Sequence, residues 1–380
     1  MEKVSIVECE SYNQKEVDNA VRKALLDIQF EFKFGSKVLI KPNLLTSATP
    51  KQAITTHPAI VEAVCKLLKT KKCKITIAES TGFFTQEKHL LFGKTGMEDI
   101  AKKYGAELLL LEKVAPLTHK AKYQSMDIEL PNLFDKYNLI INIPKLKTHM
   151  LAQYTGAMKN LYGFVPGGLK QKYHSVGRSS IRFHQILLDI YNIIQPQINI
   201  MDGVMGLEGD GPGTGGVPKK AGMIIASRNG AALDCVASES MGFKLDNIPL
   251  LRLAKGHHLI PEYEIIGKKK VVNFKKPMVH KGKILTAIYH TIFAGDIADP
   301  YVIEEKCTRC GTCARVCPVK CITLKPYPEW DYKKCIHCYC CHENCPYKAI
   351  GLRKSFLGKM GLKLKVMYDK IMNKLNKRKK

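Results

Sequence analysis

The sequence contains no uninterrupted apolar run approaching the ~20 residues that a membrane-spanning helix needs. Its first residues, Met-Glu-Lys-Val-Ser-Ile-Val, enter a strand-like pattern without the apolar core of a signal peptide. These absences argue against a helical membrane anchor and set the expectation of a reducing, cytoplasmic compartment. No Walker loop is present, and no G-x-G-x-x-G follows a strand, since Gly206-Leu-Glu-Gly-Asp-Gly spaces its glycines differently. The standard fingerprints of nucleotide and flavin binding are therefore missing, and flavin or another cofactor stays unassigned. No H-E-x-x-H is found either. Acid is scarce: 34 Asp and Glu stand against 60 Lys and Arg, a formal net charge of +26. An excess of that size points to acidic partners, whether an anionic substrate, an acidic redox protein, anionic lipid or nucleic acid. There is no low-complexity linker, and the one internal repeat is a pair of cysteine runs.

Cysteine is what the chain has in quantity, at 14 residues. Cys307-Thr-Arg-Cys310-Gly-Thr-Cys313-Ala-Arg-Val-Cys317-Pro318 is answered by Cys335-Ile-His-Cys338-Tyr-Cys-Cys341-His-Glu-Asn-Cys345-Pro346. Each is a C-x2-C-x2-C-x3-C-P run, in which three thiolates hold one iron-sulfur cube and the fourth crosses to a second cube. Two 4Fe-4S clusters are expected, one on Cys307, Cys310, Cys313 and Cys345, the other on Cys335, Cys338, Cys341 and Cys317. A disulfide scaffold does not suit a long chain that can build a core without staples. Structural zinc needs two cysteine pairs per ion and leaves two four-cysteine runs, each followed by proline, unexplained. Cys321, Cys340, Cys9, Cys65, Cys73 and Cys235 fall outside the register and read as small buried hydrophobes. Residues from about Tyr301 to Leu352 resemble a bacterial-type ferredoxin module with two 4Fe-4S clusters.

At 380 residues the chain is too long for one small domain. Three parts are expected: an α/β domain over 1–295, a ferredoxin domain over 301–352 and a basic amphipathic tail over 353–380. In the first part strands and helices alternate. Val4–Glu8, Lys37–Lys41, Lys74–Glu79, Glu107–Leu111, Asn138–Ile143, Gln197–Met201 and Ala221–Ser227 read as strands. Helical spacing appears from Val17 to Ile28, behind Pro58 with Thr55 or Thr56 as cap, around Met97 to Tyr104, after Ser179 or Ser180, and from Ala231 to Met241. This alternation predicts an α/β fold with a mostly parallel, doubly wound sheet. The ferredoxin part is expected to be small and α+β. Between Pro249 and Ala294 the pattern weakens to basic pieces such as Lys268–Lys276, for which no role is read.

Ligands of open α/β sheets bind beyond the carboxyl ends of the strands. Lys41 and Asn43 follow one strand, Glu79 and Ser80 another, Lys145, Lys147 and His149 a third, and Asp202, Glu208 and Gly209 a fourth. Lys145 and Lys147, if extended, point to one side, and with Lys41 and Lys159 they form a basic set suited to phosphate or carboxylate. The glycine-dense stretch from Met205 to Gly216 is expected to be a loop whose amides form an anion-binding nest. His149 can serve as proton donor, metal ligand or helix-start residue.

Pro144-Lys-Leu-Lys-Thr-His149, Thr155-Gly-Ala-Met-Lys159-Asn160-Leu-Tyr-Gly163, Lys41-Pro-Asn43 and the Gly206–Gly216 loop carry a second resemblance. Residues from about Val38 to Met241 resemble the family called domain of unknown function 362, often fused to ferredoxin modules. The resemblance implies an α/β fold distantly similar to lactate racemase and names no substrate. Catalytic candidates are His149, Lys145 and Lys147; substrate-binding candidates are Lys41, Asn43, Glu79, Ser80, Lys159, Asn160, Asp202, Glu208 and Gly209.

In the tail, Phe356, Met360, Leu364, Met367, Ile371 and Leu375 recur every three or four residues among Lys359, Lys363, Lys370 and Lys374. Such a basic amphipathic helix can dock on the protein itself or rest on an anionic membrane surface. Aromatic interleaving is absent, which argues against nucleic acid. Taken together, these features describe an iron-sulfur oxidoreductase passing electrons to an anionic substrate in the α/β domain. Lys306, Lys320, Lys333 and Lys334 would suit docking of an acidic ferredoxin or flavodoxin. The alternatives are a noncatalytic electron-transfer or assembly subunit whose α/β domain binds a partner protein, and an isomerase or transferase with structural or sensing clusters.

Overall fold

The computed structural model describes residues 1–80, 90–176, 180–277 and 298–354. The chain forms two compact units, Met1–Lys275 and a second that begins at Lys276. The boundary expected at 295 and the helix expected in the tail lie outside the described residues.

The strands of the first unit are β1 (Glu2–Glu8), β2 (Lys37–Pro42), β3 (Lys74–Glu79), β4 (Glu107–Leu110), β5 (Pro116–His119), β6 (Ile128–Pro131), β7 (Leu139–Ile143), β8 (Lys145–His149), β9 (Gln153–Thr155), β10 (Ile198–Gly209), β11 (Gly216–Ser227) and β12 (Tyr263–Ile266). Ten of them form one sheet in the order β12-β1-β11-β10-β7-β2-β3-β4, with β8 paired to β10 and β9. The pairs β2–β3, β2–β7, β3–β4 and β7–β10 are parallel, whereas β11 is antiparallel to both β10 and β1. The sheet is mostly parallel, as the alternation of elements predicts.

Successive residues of a strand face opposite ways, and here both faces are apolar because both are covered. Val38 and Ile40 pack on one side with Val17 and Val21 of the helix Gln14–Asp27 and Ile60 and Val64 of the helix Pro58–Thr70. Leu39 packs on the other side in a core shared with Ile186 and Ile190 of the helix Ser180–Ile194 and with Leu233 and Val236 of the helix Gly230–Ser240. Burying a side chain of this size contributes roughly 1.5–3 kcal/mol, so the alternation fixes register: a one-residue slip would exchange the two cores.

Two expectations need correction. The cap of the helix Pro58–Thr70 is His57, whose Nδ1 accepts from Ala59 N at 3.2 Å, and not Thr55 or Thr56. Thr56 instead ties two strand ends, its Oγ1 accepting from Asn43 N at 2.9 Å and donating to Ile143 O at 2.7 Å. The glycine-dense stretch is half strand and half loop: β10 continues to Gly209 and β11 begins at Gly216, with Gly209 opposite Gly216, and only residues 210–215 form the connection. Its glycines make room for neighbouring protein. A Cβ at Gly206 would lie 2.6 Å from the Phe274 ring, and one at Gly211 2.5 Å from Thr148 O. The segment left without a role supplies this partner. Val272 N donates to Ser240 O at 2.7 Å and Phe274 N to Met241 O at 2.9 Å, which seats Phe274 in the core.

In the second unit β13 (Ala298–Val302) pairs antiparallel with β16 (Ile350–Lys354), and β14 (Ile322–Leu324) with β15 (Pro328–Trp330). Two one-turn helices, Thr312–Arg315 and Cys340–Glu343, sit inside the two cysteine runs.

Candidate functional site

The order of β4, β3, β2, β7 and β10 places the strand after β2 on one side and β7 on the other. The order in which strands are added therefore reverses between the parallel neighbours β2 and β7, which is where open α/β sheets leave a crevice. Lys41, Asn43, Pro144, Lys145 and Lys147 come from the carboxyl ends of these two strands. Because β8 is extended, Lys145 and Lys147 do point to one side, and both are fully buried, as is Lys41.

The lysines are held by buried partners. Lys41 Nζ donates to Glu79 Oε2 at 2.7 Å and to Pro42 O at 2.8 Å. The same carboxylate accepts from Leu44 N at 2.9 Å and, through Oε1, from Ser80 N at 2.9 Å. Lys145 Nζ donates to Asp202 Oδ2 and to the Tyr12 hydroxyl, both at 2.8 Å. Lys147 Nζ donates to two neutral oxygens, Asn43 Oδ1 at 2.6 Å and Ile54 O at 2.9 Å. Burial pulls the Lys41 and Lys145 ammonium groups below the usual lysine range, and Glu79 and Asp202 act against that fall. Three of the four lysines of the expected cationic set thus form two lysine-carboxylate pairs and open an amide chain.

That chain runs across the sheet. Asn43 Nδ2 donates to Asn160 Oδ1 at 2.8 Å, Asn160 Nδ2 to Asn142 Oδ1 at 2.7 Å, and Asn142 Nδ2 to Asn199 Oδ1 at 2.8 Å. Asn199 Nδ2 ends it on Ser227 O and Arg228 O, at 3.4 and 3.3 Å. Every link points the same way, away from Lys147, so the amide dipoles add.

Around Asp202 the structure assembles a group that the sequence reading captures only in part. The Tyr12 hydroxyl donates to Asp202 Oδ1 at 2.8 Å, and His57 N donates to Oδ2 at 2.9 Å. The Tyr12 and His57 rings stack with centroids 3.6 Å apart. Burial, then Asp202, raises the Tyr12 phenol well above its usual range. Burial lowers the His57 imidazole to about 4, with Asp202 opposing and Lys145 adding to the shift. Tyr12 and His57 are half-buried, whereas Asp202 and Lys145 are fully buried. Tyr12 lies past the carboxyl end of β1, a strand from which no candidates are collected in the sequence reading; the same end-of-strand rule applied there finds it.

The remaining candidates fall in three places. Ser80 donates to Gly163 O at 2.6 Å and Val165 O at 3.0 Å, and it accepts from Lys170 Nζ. Burial lowers Lys170 to about 8, while Glu79, Glu112, Lys41 and Lys159 also act on it, so Lys159 belongs to this corner. His149, buried, accepts at Nδ1 from Leu151 N at 3.0 Å and Ala152 N at 3.2 Å, which closes the turn after β8. Glu208 Oε2 accepts from Lys275 N at 2.8 Å, and Gly209 N donates to Lys275 O at 2.8 Å, so this pair fastens the segment that carries Phe274. Among the described residues no three His, Cys, Asp or Glu side chains close on a single metal ion.

One further acid, Asp234, escapes sequence reading because it sits inside a helix. It accepts from Ala157 N at 2.6 Å, Met158 N at 2.9 Å and the Tyr154 hydroxyl at 2.9 Å, capping the short helix Ala157–Asn160 that carries Lys159 and Asn160. Burial raises its carboxyl to about 7 against those three donors.

In the second unit the cysteines gather as crossed sets. Cys313 is pushed up to about 11 by burial and then by Cys345, Cys307 and Cys310, so these four sulfurs share one neighbourhood. Cys317, Cys335, Cys338 and Cys341 line one pocket together with Pro300, Trp330 and Cys321. Thiolates around a cube stand farther apart than the ligands of one ion, and four sulfurs lining a common cavity fit such a group. Backbone amides point at the crossing sulfurs: Cys321 N donates to Cys317 Sγ at 3.3 Å and Ala349 N to Cys345 Sγ at 3.2 Å. Cys9, Cys65, Cys73 and Cys235 are buried, as expected of small hydrophobes, whereas Cys340 is half-buried.

An α/β body with a strand-end polar crevice, joined in one chain to a cysteine-rich unit, defines an iron-sulfur protein with a 4Fe-4S binding motif. Residues 300–323 match the 4Fe-4S binding domain model, and residues 38–239 match the model described as domain of unknown function, DUF362. The chain belongs to the DUF362 family. It is 30% identical over 225 residues to a thylakoid-associated protein of Synechocystis sp., in an alignment covering 57% of this chain and 66% of that relative. The chain thus spans just under two thirds of the length of the relative it matches. It is also similar to the lactate racemase apoprotein from Thermoanaerobacterium thermosaccharolyticum, at 15% identity and a TM-score of 0.37, over 53% of this chain and 50% of that one. No helix among the described residues is long and apolar enough to cross a membrane.

Proposed function

We propose that this protein is an oxidoreductase that holds two 4Fe-4S clusters and passes electrons to an anionic substrate bound in the α/β domain. The observation that carries this reading is the gathering of the cysteines into crossed sets, Cys307, Cys310, Cys313 and Cys345 on one side and Cys335, Cys338, Cys341 and Cys317 on the other. When bound, the clusters supply one-electron transfer. The N–H groups of Cys321 and Ala349 stabilise negative charge on the crossing sulfurs, which favours reduction.

For the substrate, the corner between Ser80 and Lys170 is favoured over the buried lysine pairs. Lys41, Lys159 and Lys170 act there with Glu79 and Glu112, three ammonium groups to two carboxylates, so an arriving anion meets net positive charge. Protons for a reduction are carried by the group that reaches the surface, the Tyr12 hydroxyl and His57 against Asp202 and Lys145. Lys145, Lys147, Lys41, Asn43 and Asn160 then shape the floor of the crevice, and His149 its rim. Electrons enter from an acidic ferredoxin or flavodoxin, attracted by Lys306, Lys320, Lys333 and Lys334. We place the protein in the cytoplasm, with the basic tail in peripheral contact with anionic membrane; the thylakoid association named for its relative agrees with such a contact.

The test is to reduce the anaerobically reconstituted full chain and titrate it with small carboxylates and phosphates, following cluster absorbance. Reoxidation by one such anion, slowed when Lys170 is replaced by methionine, is the expected result. Reoxidation by redox proteins alone would move the function to electron carriage without a substrate site.

A further inference from the structure

The two halves of the cysteine-rich unit repeat one turn with one difference. Cys317-Pro-Val-Lys-Cys321 and Cys345-Pro-Tyr-Lys-Ala349 occupy equivalent places, as the following geometry shows. Lys320 and Lys348 both adopt left-handed backbone, with φ of +49° and +51°. Their amides donate to Cys317 O and Cys345 O, each at 3.2 Å. The amide of the next residue donates to the crossing sulfur in both. With matching backbones, the Cβ of Cys321 stands where Ala349 places a bare methyl.

Cys321 therefore brings a fifth thiol to one set only. It is 4% exposed, and its Sγ lies 3.4 Å from Cys317 Sγ. Cys335 also lies close enough to act on it electrostatically. Together with Cys317, Cys335, Cys338 and Cys341 it lines the same pocket. The sequence reading of Cys321 as a buried hydrophobe accounts for its burial and misses this company, because C-x3-C from Cys317 lies outside the repeated register.

We propose that Cys321 is a reserve ligand, able to take over the iron held by Cys317 in the cluster of Cys335, Cys338, Cys341 and Cys317. In the exchange the bond from iron to Cys317 sulfur breaks and one from iron to Cys321 sulfur forms. The proton of the Cys321 thiol passes to the departing Cys317 thiolate, so charge and oxidation state are unchanged. A sulfur already beside the leaving sulfur needs only a side-chain rotation to reach the metal. The inference rests on the two-cluster reading above.

The experiment compares Cys317→Ala with Cys345→Ala in the full chain, reconstituted anaerobically with iron and sulfide, by iron content and by EPR spin counting after reduction. Wild type is expected to hold about eight irons. Cys317→Ala is expected to match it in iron and in spins, with an altered EPR line shape from the new ligand. Cys345→Ala, which has only Ala349 at the equivalent place, is expected to lose between about one and four irons, and Cys317→Ala/Cys321→Ala to lose a similar number. Equal losses in Cys317→Ala and Cys345→Ala would overturn the proposal. If Cys317→Ala does not fold, Cys317→Ser is compared with Cys317→Ser/Cys321→Ala, because a serine oxygen can itself hold iron: iron or an EPR line shape that changes only when Cys321 is removed supports the proposal, and identical counts and spectra overturn it. Wild type with only about four irons would instead overturn the two-cluster reading itself.

Discussion

Lys41 Nζ lies 2.7 Å from Glu79 Oε2, with the lysine fully buried and the glutamate 3% exposed. The two residues end neighbouring parallel strands, so the sheet itself brings them together. Gly163 lets the chain pass over the pair: a Cβ there would sit 2.5 Å from Lys41 Nζ and 2.6 Å from Glu79 Oε1.

Removing one member of a buried ion pair strands the other charge, at a cost of about 3–5 kcal/mol. Lys41→Met is therefore expected to lower stability by that order, and Lys41→Met/Glu79→Gln, which is neutral and keeps an amide oxygen for the Leu44 and Ser80 amides, to recover most of it. Urea unfolding followed by circular dichroism measures both; a double variant no better than the single one would show that the pair is not the source of the loss.

Gly163→Ala adds a methyl where the pair leaves no room. Overpacking of this kind costs about 1–3 kcal/mol. Thermal unfolding should show the loss, and it should shrink in the Lys41→Ala background, where Nζ and Cε, two of the three atoms nearest the added methyl, are gone.

The asparagine chain that starts at Lys147 gives a different signature. Asn142→Leu removes both a donor and an acceptor, leaving Asn160 Nδ2 and Asn199 Oδ1 without the bonds they make at 2.7 and 2.8 Å. Each buried polar group left unsatisfied costs about 1–3 kcal/mol. The expected result is a larger fall than for Asn142→Asp at low pH, where a protonated carboxyl can donate to Asn199 and accept from Asn160. Denaturant midpoints of the two variants at matched pH decide it.

His57 sets a pH dependence. Its folded-state value is lowered to about 4 from 6.5, so the unfolded chain binds the extra proton between these values. The stability contributed by neutral His57 is full above 6.5 and is lost as pH falls toward about 4. His57→Asn keeps a capping acceptor for Ala59 N and cannot titrate, so its stability should fall less steeply across the same window. Parallel curves for the two proteins would contradict this assignment.

Much of this was legible in the sequence where one rule sufficed. Lys37–Pro42 and Leu139–Ile143 are short apolar runs ended by proline or followed by it, and the parallel strands follow from them. The cysteine spacing likewise marks out the cysteine-rich unit, where a 4Fe-4S binding motif is matched. What sequence could not supply was pairing across the chain. Nothing local tells that Lys145 will meet Asp202, or that the Tyr12 hydroxyl will bond to both, because those contacts depend on sheet order. Glycine density misled for the same reason: a glycine needed for close approach to Phe274 reads like one needed for a ligand. Lys170 and Asp234, set within helices, gave no end-of-strand signal at all.

The central claim is that two crossed cysteine sets each hold a 4Fe-4S cluster, and the most direct measurement is iron and acid-labile sulfide per chain in the anaerobically reconstituted protein. The account predicts about eight of each, falling when either Cys313 or Cys338 is replaced by alanine. About four of each in wild type, unchanged by Cys338→Ala, would contradict it.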